Sequence, residues 1–125
     1  MQYPSQTINR AMRAVRCSPF QMPLFEAMRL RSVSLAEIAG STGVQKQYTQ
    51  QPLTELAVEN ALLWLIQVGV LRREVDGQGL TDSFRLTPLG RQLVDQWQQQ
   101  GQNWNPPTLQ DQLQNTFSRW LRLPA

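Results

Sequence analysis

Between Ser5 and Cys17 the apolar residues Ile8, Met12 and Val15 recur at helical spacing, with Arg10, Arg13 and Arg16 between them, and the pattern stops before Ser18-Pro19. A short amphipathic helix is predicted there. Pro23 suits the first turn of a second helix, Leu24 to Arg31, whose Leu24, Phe25, Met28 and Leu30 supply a core face. Ser34-Leu35-Ala36-Glu37 has the form of a capping box: Ser34 caps the Glu37 amide and the Glu37 carboxylate reaches back. The third helix that opens there buries Leu35, Ile38 and Ala39, and Gly40 to Gly43 close it. The polar stretch Gln45 to Gln51 is longer than a tight helix-turn-helix corner needs and reads as an insertion.

Pro52 leads into the clearest helical pattern, Thr54 to Val68, along which Leu53, Ala57, Ala61, Trp64 and Val68 follow a helical spacing and Gly69 supplies the stop. Two β-leaning runs follow, Val70 to Val75 and Leu80 to Thr87, joined by Asp76-Gly77-Gln78-Gly79, a turn suited to a hairpin. Thr87 then caps another helix, with Pro88 at its first position and Leu89, Leu93 and Trp97 along one side. After the break at Asn105-Pro106-Pro107 a last helix, Thr108 to Leu123, sets Leu109, Leu113, Phe117, Trp120 and Leu121 on one side and needs a surface to cover.

At 125 residues, with 41% of them hydrophobic, the chain suffices for one compact domain. The longest apolar run, Ala61 to Ile66, falls far short of the roughly 20 residues of a bilayer span, so no membrane role is expected. No apolar stretch follows Met1, so the expected location is cytoplasmic. With no histidine and one cysteine, Cys17, His-based triads, the usual zinc ligand sets and intramolecular disulfides are excluded. The sequence carries no phosphate-cradling glycine loop, since the Asp76 to Gly79 turn lies between strands and opens no helix. No enzyme activity, metal or cofactor is therefore expected. Cys17 beside the basic stretch is read as helix-end packing in preference to a redox sensor. The net charge of +3 is unevenly placed: residues 1–31 carry five arginines against Glu26 alone, so a polyanion would meet that end first.

The order of elements, together with Ser34-Leu-Ala-Glu-Ile-Ala-Gly-Ser-Thr-Gly-Val44, Val68-Gly-Val-Leu-Arg-Arg-Glu-Val-Asp-Gly77 and Phe84-Arg-Leu-Thr-Pro-Leu-Gly-Arg91, resembles the winged helix-turn-helix domain of MarR-like and PadR-like transcriptional regulators. The resemblance covers about residues 24 to 97. It implies a mainly α fold with a small β-hairpin, a winged helix-turn-helix with extra N-terminal and C-terminal helices. The expected divisions are a basic helical arm at 1–23, the winged domain at 24–100, and a linker with an amphipathic helix at 101–125.

The resemblance also implies that the helix over Thr54 to Val68 enters the major groove of duplex DNA and that the hairpin reaches along the backbone. Asn60 is then the base reader, Lys46, Gln47 and Tyr48 of the insertion lie near the helix entry, and Arg72, Arg73 and Arg85 grip phosphates. Arg10, Arg13 and Arg16 form a further stripe for phosphates, or a solvated face. Cross-strand ion pairing is the competing reading for the wing cations, favoured for Arg85 and not for Arg73. Glu55 and Glu59 oppose DNA on that helix, because they carry like charge toward phosphate. In the same helix Val58, Ala61, Leu62 and Leu65 should face the core, leaving Leu63, Trp64 and Ile66 as an extra apolar face. The N-terminal helix, the helix with Phe117, Trp120 and Leu121, or a second subunit must cover it. Two functions follow: a DNA-binding transcriptional regulator, dimeric or partnered, as the leading reading, and a protein-interaction module or accessory subunit as the alternative.

Overall fold

The computed structural model describes residues 3–99, so the expected helix with Phe117, Trp120 and Leu121 lies outside the described residues. The first helix, α1 (Ser5–Cys17), has the predicted bounds. Its buried Ala11, Ala14 and Val15 join the same core as the elements that follow. Small residues on that face let α1 approach α5 (Glu55–Gln67) and α6 (Pro88–Gln99) closely. Helix α2 (Met22–Leu30) starts two residues before Leu24, with Pro23 in its first turn, where a missing N–H costs nothing.

Strand β1 (Val33–Ser34) was not expected from the sequence. Buried Val33 pairs with Phe84, and Ser34 pairs with Ser83 before starting the capping box of α3 (Leu35–Ile38). The pair Gly40 and Gly43 does not end the helical region as expected. Gly40 takes φ +66°, which turns the chain into a further helix, α4 (Gly40–Gln45). A Cβ on Gly43 would sit 1.8 Å from the Ile38 carbonyl oxygen, so only glycine permits this approach of α4 to α3.

The inserted turn after α4 is tied down rather than loose. Tyr48 and Thr49 amides both donate to the Gly43 carbonyl at 2.8 and 3.4 Å, and the Gln21 amide donates to the Tyr48 carbonyl at 2.9 Å. Phe20 and Thr49 form an isolated antiparallel bridge, which stitches this turn to the link between α1 and α2. Helix α5 then opens at Thr54, whose hydroxyl accepts from the Ala57 amide at 3.1 Å. Val58, Ala61, Leu62 and Leu65 face the core as the resemblance implies, Ala57 of the periodic set is exposed, and Gly69 ends the helix at φ +91°.

β2 (Leu71–Asp76) and β3 (Gly79–Leu86) form the hairpin, and the antiparallel sheet has the order β1-β3-β2. Its register breaks between Arg73↔Phe84 and Val75↔Leu80. Thr81 secures the irregularity: its hydroxyl donates to the Glu74 carbonyl at 3.0 Å and accepts from the Ser83 amide at 3.1 Å. Thr87 joins three elements. Its hydroxyl donates to the Gly69 and Val70 carbonyls and accepts from the Gly90 amide at 3.0 Å, capping α6. The result is a mainly helical fold with a small three-stranded antiparallel sheet, built around Phe25, Phe84, Leu24, Met28, Ile38, Leu62 and Leu65. No described helix is long and apolar enough to cross a membrane.

Candidate functional site

Helix α5 and the β2–β3 hairpin present the surface singled out by the sequence, and their side chains decide what it can recognise. Four residues of α5 at spacings of four, three and four are exposed: Leu56, Asn60, Leu63 and Gln67. Leu56 is 68% and Leu63 43% exposed, and the stripe carries no cation. Glu55 is exposed at the start of the helix and Glu59 is half-buried beside the stripe, so any charge here is negative. At the hairpin tip the cross-strand pair Val75 and Leu80 is exposed at 62% and 74%. Exposed aliphatic side chains of this size usually mark a contact surface when they share a face.

The cations of the hairpin are held within the protein. Arg72 reaches Glu74 at 3.0 Å, and Arg85 reaches the same carboxylate across the strands at 3.5 Å, the cross-strand pairing favoured for Arg85. Among the described residues Arg73 makes no such pair. Its guanidinium lies 5.0 Å from the Phe84 ring centroid and donates to the Thr81 carbonyl at 3.1 Å. In the inserted turn, Lys46 donates to Glu37 at 3.0 Å, and Gln47 is exposed at φ +64°. Tyr48, expected at a DNA entry, is only 6% exposed and belongs to the core, because its backbone bonds on both sides turn the ring inward.

Glu37 is the electrostatic centre of this end of the molecule. Arg31 holds it in a two-pronged contact at 2.9 and 3.3 Å, and the Ser34 amide donates to it at 3.0 Å. Its carboxyl is lowered from the ordinary 4.5 to about 2, first by the Arg31 hydrogen bond and then, against a smaller cost of burial, by Ser34 and Lys46. The same contact raises Arg31. The capping box was legible in the sequence; the two cations that converge on it were not.

Arg10, Arg13 and Arg16 are half-buried along α1, which contains no acidic residue. Burial lowers the Arg10 guanidinium below its usual range, and the neighbouring Arg13 charge adds to this. Among the described residues, Arg13 Nε is buried without a hydrogen-bond partner. The expected apolar face of Leu63, Trp64 and Ile66 divides: Leu63 is exposed, Ile66 half-buried, and Trp64 only 6% exposed. Trp64 is therefore core and not a partner contact, on a helix against which α1 packs. Phe117, Trp120 and Leu121 lie outside the described residues.

A shallow cleft of about 180 Å³ is lined by Pro19, Thr49, Gln50, Gln51 and Leu53. That is below the roughly 300 Å³ at which ligand pockets begin, and its lining has no charge with which to orient a substrate. Among the described residues, no group of three His, Cys, Asp or Glu side chains is placed to hold a metal ion. Cys17 is half-buried at the end of α1. The feature that sequence reasoning underweighted is the exposure of Leu56, Val75 and Leu80, for which the signal was an apolar residue at a position where the periodicity calls for a polar one.

A family model described as Npun_F0494-like matches residues 1–119. No curated protein and no solved structure matches the chain.

Proposed function

The chain belongs to the Npun_F0494-like family, and for it we propose the role of a winged-helix protein-interaction module, a subunit that docks through the exposed face of α5. Support for the winged-helix reading comes from the element order: two helices and the short β1, then α3, α4 and α5, then a hairpin whose β3 lies between β1 and β2. The functional reading rests on one observation. The helix that a DNA-binding winged domain would lay in the major groove exposes Leu56, Asn60, Leu63 and Gln67, with no cation among them. Phosphate neutralisation by Lys or Arg supplies most of the affinity of such proteins for duplex DNA, and here it is missing where it is needed. Apolar residues with few charges are instead the composition of the centre of a protein interface.

Incorporating a photo-crosslinking amino acid in place of Leu63 in cells tests this reading. Adducts to protein are expected, and adducts to DNA would overturn it.

The second reading, a DNA-binding transcriptional regulator, is favoured by α1, where Arg10, Arg13 and Arg16 stand on a helix without acids. On that reading, duplex affinity falls steeply between low and physiological salt and drops further when the three arginines are replaced by glutamine. Absence of duplex binding at low salt would remove it.

A further inference from the structure

We propose that the α5 face receives a basic amphipathic helix of another protein, whose apolar side covers Leu56 and Leu63 while its lysines or arginines meet Glu55 and Glu59. The inference rests on the protein-docking reading above and names the chemistry of the partner. Leu56 and Leu63, two turns apart, make one row along the exposed side of α5, and Glu55 and Glu59, one turn apart, make a second row beside it. Half-buried Ile66 continues the second row toward the end of the helix. No Lys or Arg occurs in α5, and among the described residues no cation pairs with either glutamate. The whole chain carries +3, so this acidic edge is a local reversal of sign on a face that exposes two leucines.

Charge selects among the possible occupants. Duplex DNA and an anionic lipid surface both meet the glutamates with like sign. A second copy fits no better: its α5 would bring the same carboxylates, and its arginine-rich α1 already buries its apolar residues Ala11, Ala14 and Val15 in its own core. A helix from another protein, with cations on one flank of an apolar stripe, matches both rows at once. Its apolar residues pack across the leucine row as ridges into grooves, which removes that row from water. Its cations lie at the rim, where they pair with the glutamates while keeping part of their hydration, so no buried charge is left unmatched. The leucine row then supplies the affinity, and the glutamate row sets the orientation and rejects acidic helices.

The test titrates the full chain into labelled synthetic helices of about 18 residues, or five turns, followed by fluorescence anisotropy. One peptide carries a leucine stripe flanked by lysines, a second keeps the leucines and exchanges lysine for glutamate, and a third keeps the lysines and exchanges leucine for serine. The first should bind at least about tenfold more tightly than either of the others. Equal binding of the first peptide and either control, or no binding of the first at about 1 mM, would overturn the proposal. Leu63→Asn should weaken the first peptide at least about tenfold with an unchanged circular dichroism spectrum, and if it fails to fold, Leu56→Asn makes the same test at the more exposed leucine. Glu55→Gln combined with Glu59→Gln should weaken it about threefold or more at low salt, a loss that fades as salt rises. Glu26→Gln, on α2, should leave binding unchanged, and an equal loss there would show a general charge effect and overturn the proposal. Photo-crosslinking from position 63 in cells separates the two readings. Adducts that map to a lysine- or arginine-rich segment of a different protein support the proposal. Adducts to an acidic or neutral segment of another protein overturn it and leave the docking reading standing, adducts to a second copy or to residues 108–123 of the same chain overturn it by naming a different occupant, and DNA adducts end both.

Discussion

Replacing Glu37 by glutamine removes the charge on which Arg31 and Lys46 converge while preserving the shape of the side chain. A carboxyl lowered from 4.5 to about 2 corresponds to a ceiling of about 3 kcal/mol favouring the folded state. Both cations remain substantially exposed, so solvent screening brings the expected value to about 1–2 kcal/mol. The sign is fixed by proton linkage. The folded carboxylate takes up its proton near pH 2 and the unfolded one near 4.5, so the contribution is whole above 4.5 and is lost as pH falls toward 2. Urea unfolding followed by far-ultraviolet circular dichroism should separate the natural chain from Glu37→Gln by about 1–2 kcal/mol near pH 7, narrowing to about half or less near pH 3. Equal separation at both pH values, or none near pH 7, would refute the assignment of Glu37 as the electrostatic tie between α2, α3 and α4.

Two neighbours on α5 should part company under truncation. Trp64→Ala should cost about 3–5 kcal/mol in urea unfolding, because it empties part of the core, whereas Leu63→Ala should stay within about 0.5 kcal/mol. A comparable loss at Leu63 would show that the face is core. Gly90→Ala should destabilise by about 1–3 kcal/mol, read as a lowered Tm, since its new Cβ would lie 2.3 Å from the Val70 carbonyl oxygen; an unchanged Tm would mean that α6 can shift away from the hairpin at no cost.

Helix boundaries were legible wherever a local rule set them. The Ser34–Glu37 box, Thr87 as a cap, Pro23 and Pro88 in first turns and Gly69 as a stop all act within a few residues of chain, so sequence suffices to see them. Strand β1 has two residues, too few to display a period, and exists because β3 offers it an edge. Gly40 and Gly43 looked like a helix end because glycine serves both stops and close approaches, and only the Ile38 carbonyl distinguishes the two. Tyr48 sits among glutamines and reads as surface until its backbone partners on Gly43 and Gln21 are seen. The candidate site divides in the same way. Which cations exist was plain, but which carboxylate each one meets is set by strand pairing and helix packing, as with Arg72 and Arg85 on Glu74. Trp64 belongs both to the spacing shared with Ala61 and Val68 and to an extra apolar face in need of cover, and periodicity alone does not say which of the candidate covers packs on that helix, as α1 does.

Strand β3 lives in two mechanical environments. At Phe84 it pairs with β1 and β2 together, and beyond the register break, toward Gly79 and Leu80, it has β2 alone. Backbone amides along this single strand should therefore exchange with solvent on a gradient, slowest at Phe84, where opening demands global unfolding, and fastest near Gly79, where fraying suffices. The ribbon behaves as a cantilever clamped at its root. Val75 and Leu80 can swing at its free end to meet an incoming surface without disturbing the ring of Phe84 that anchors it.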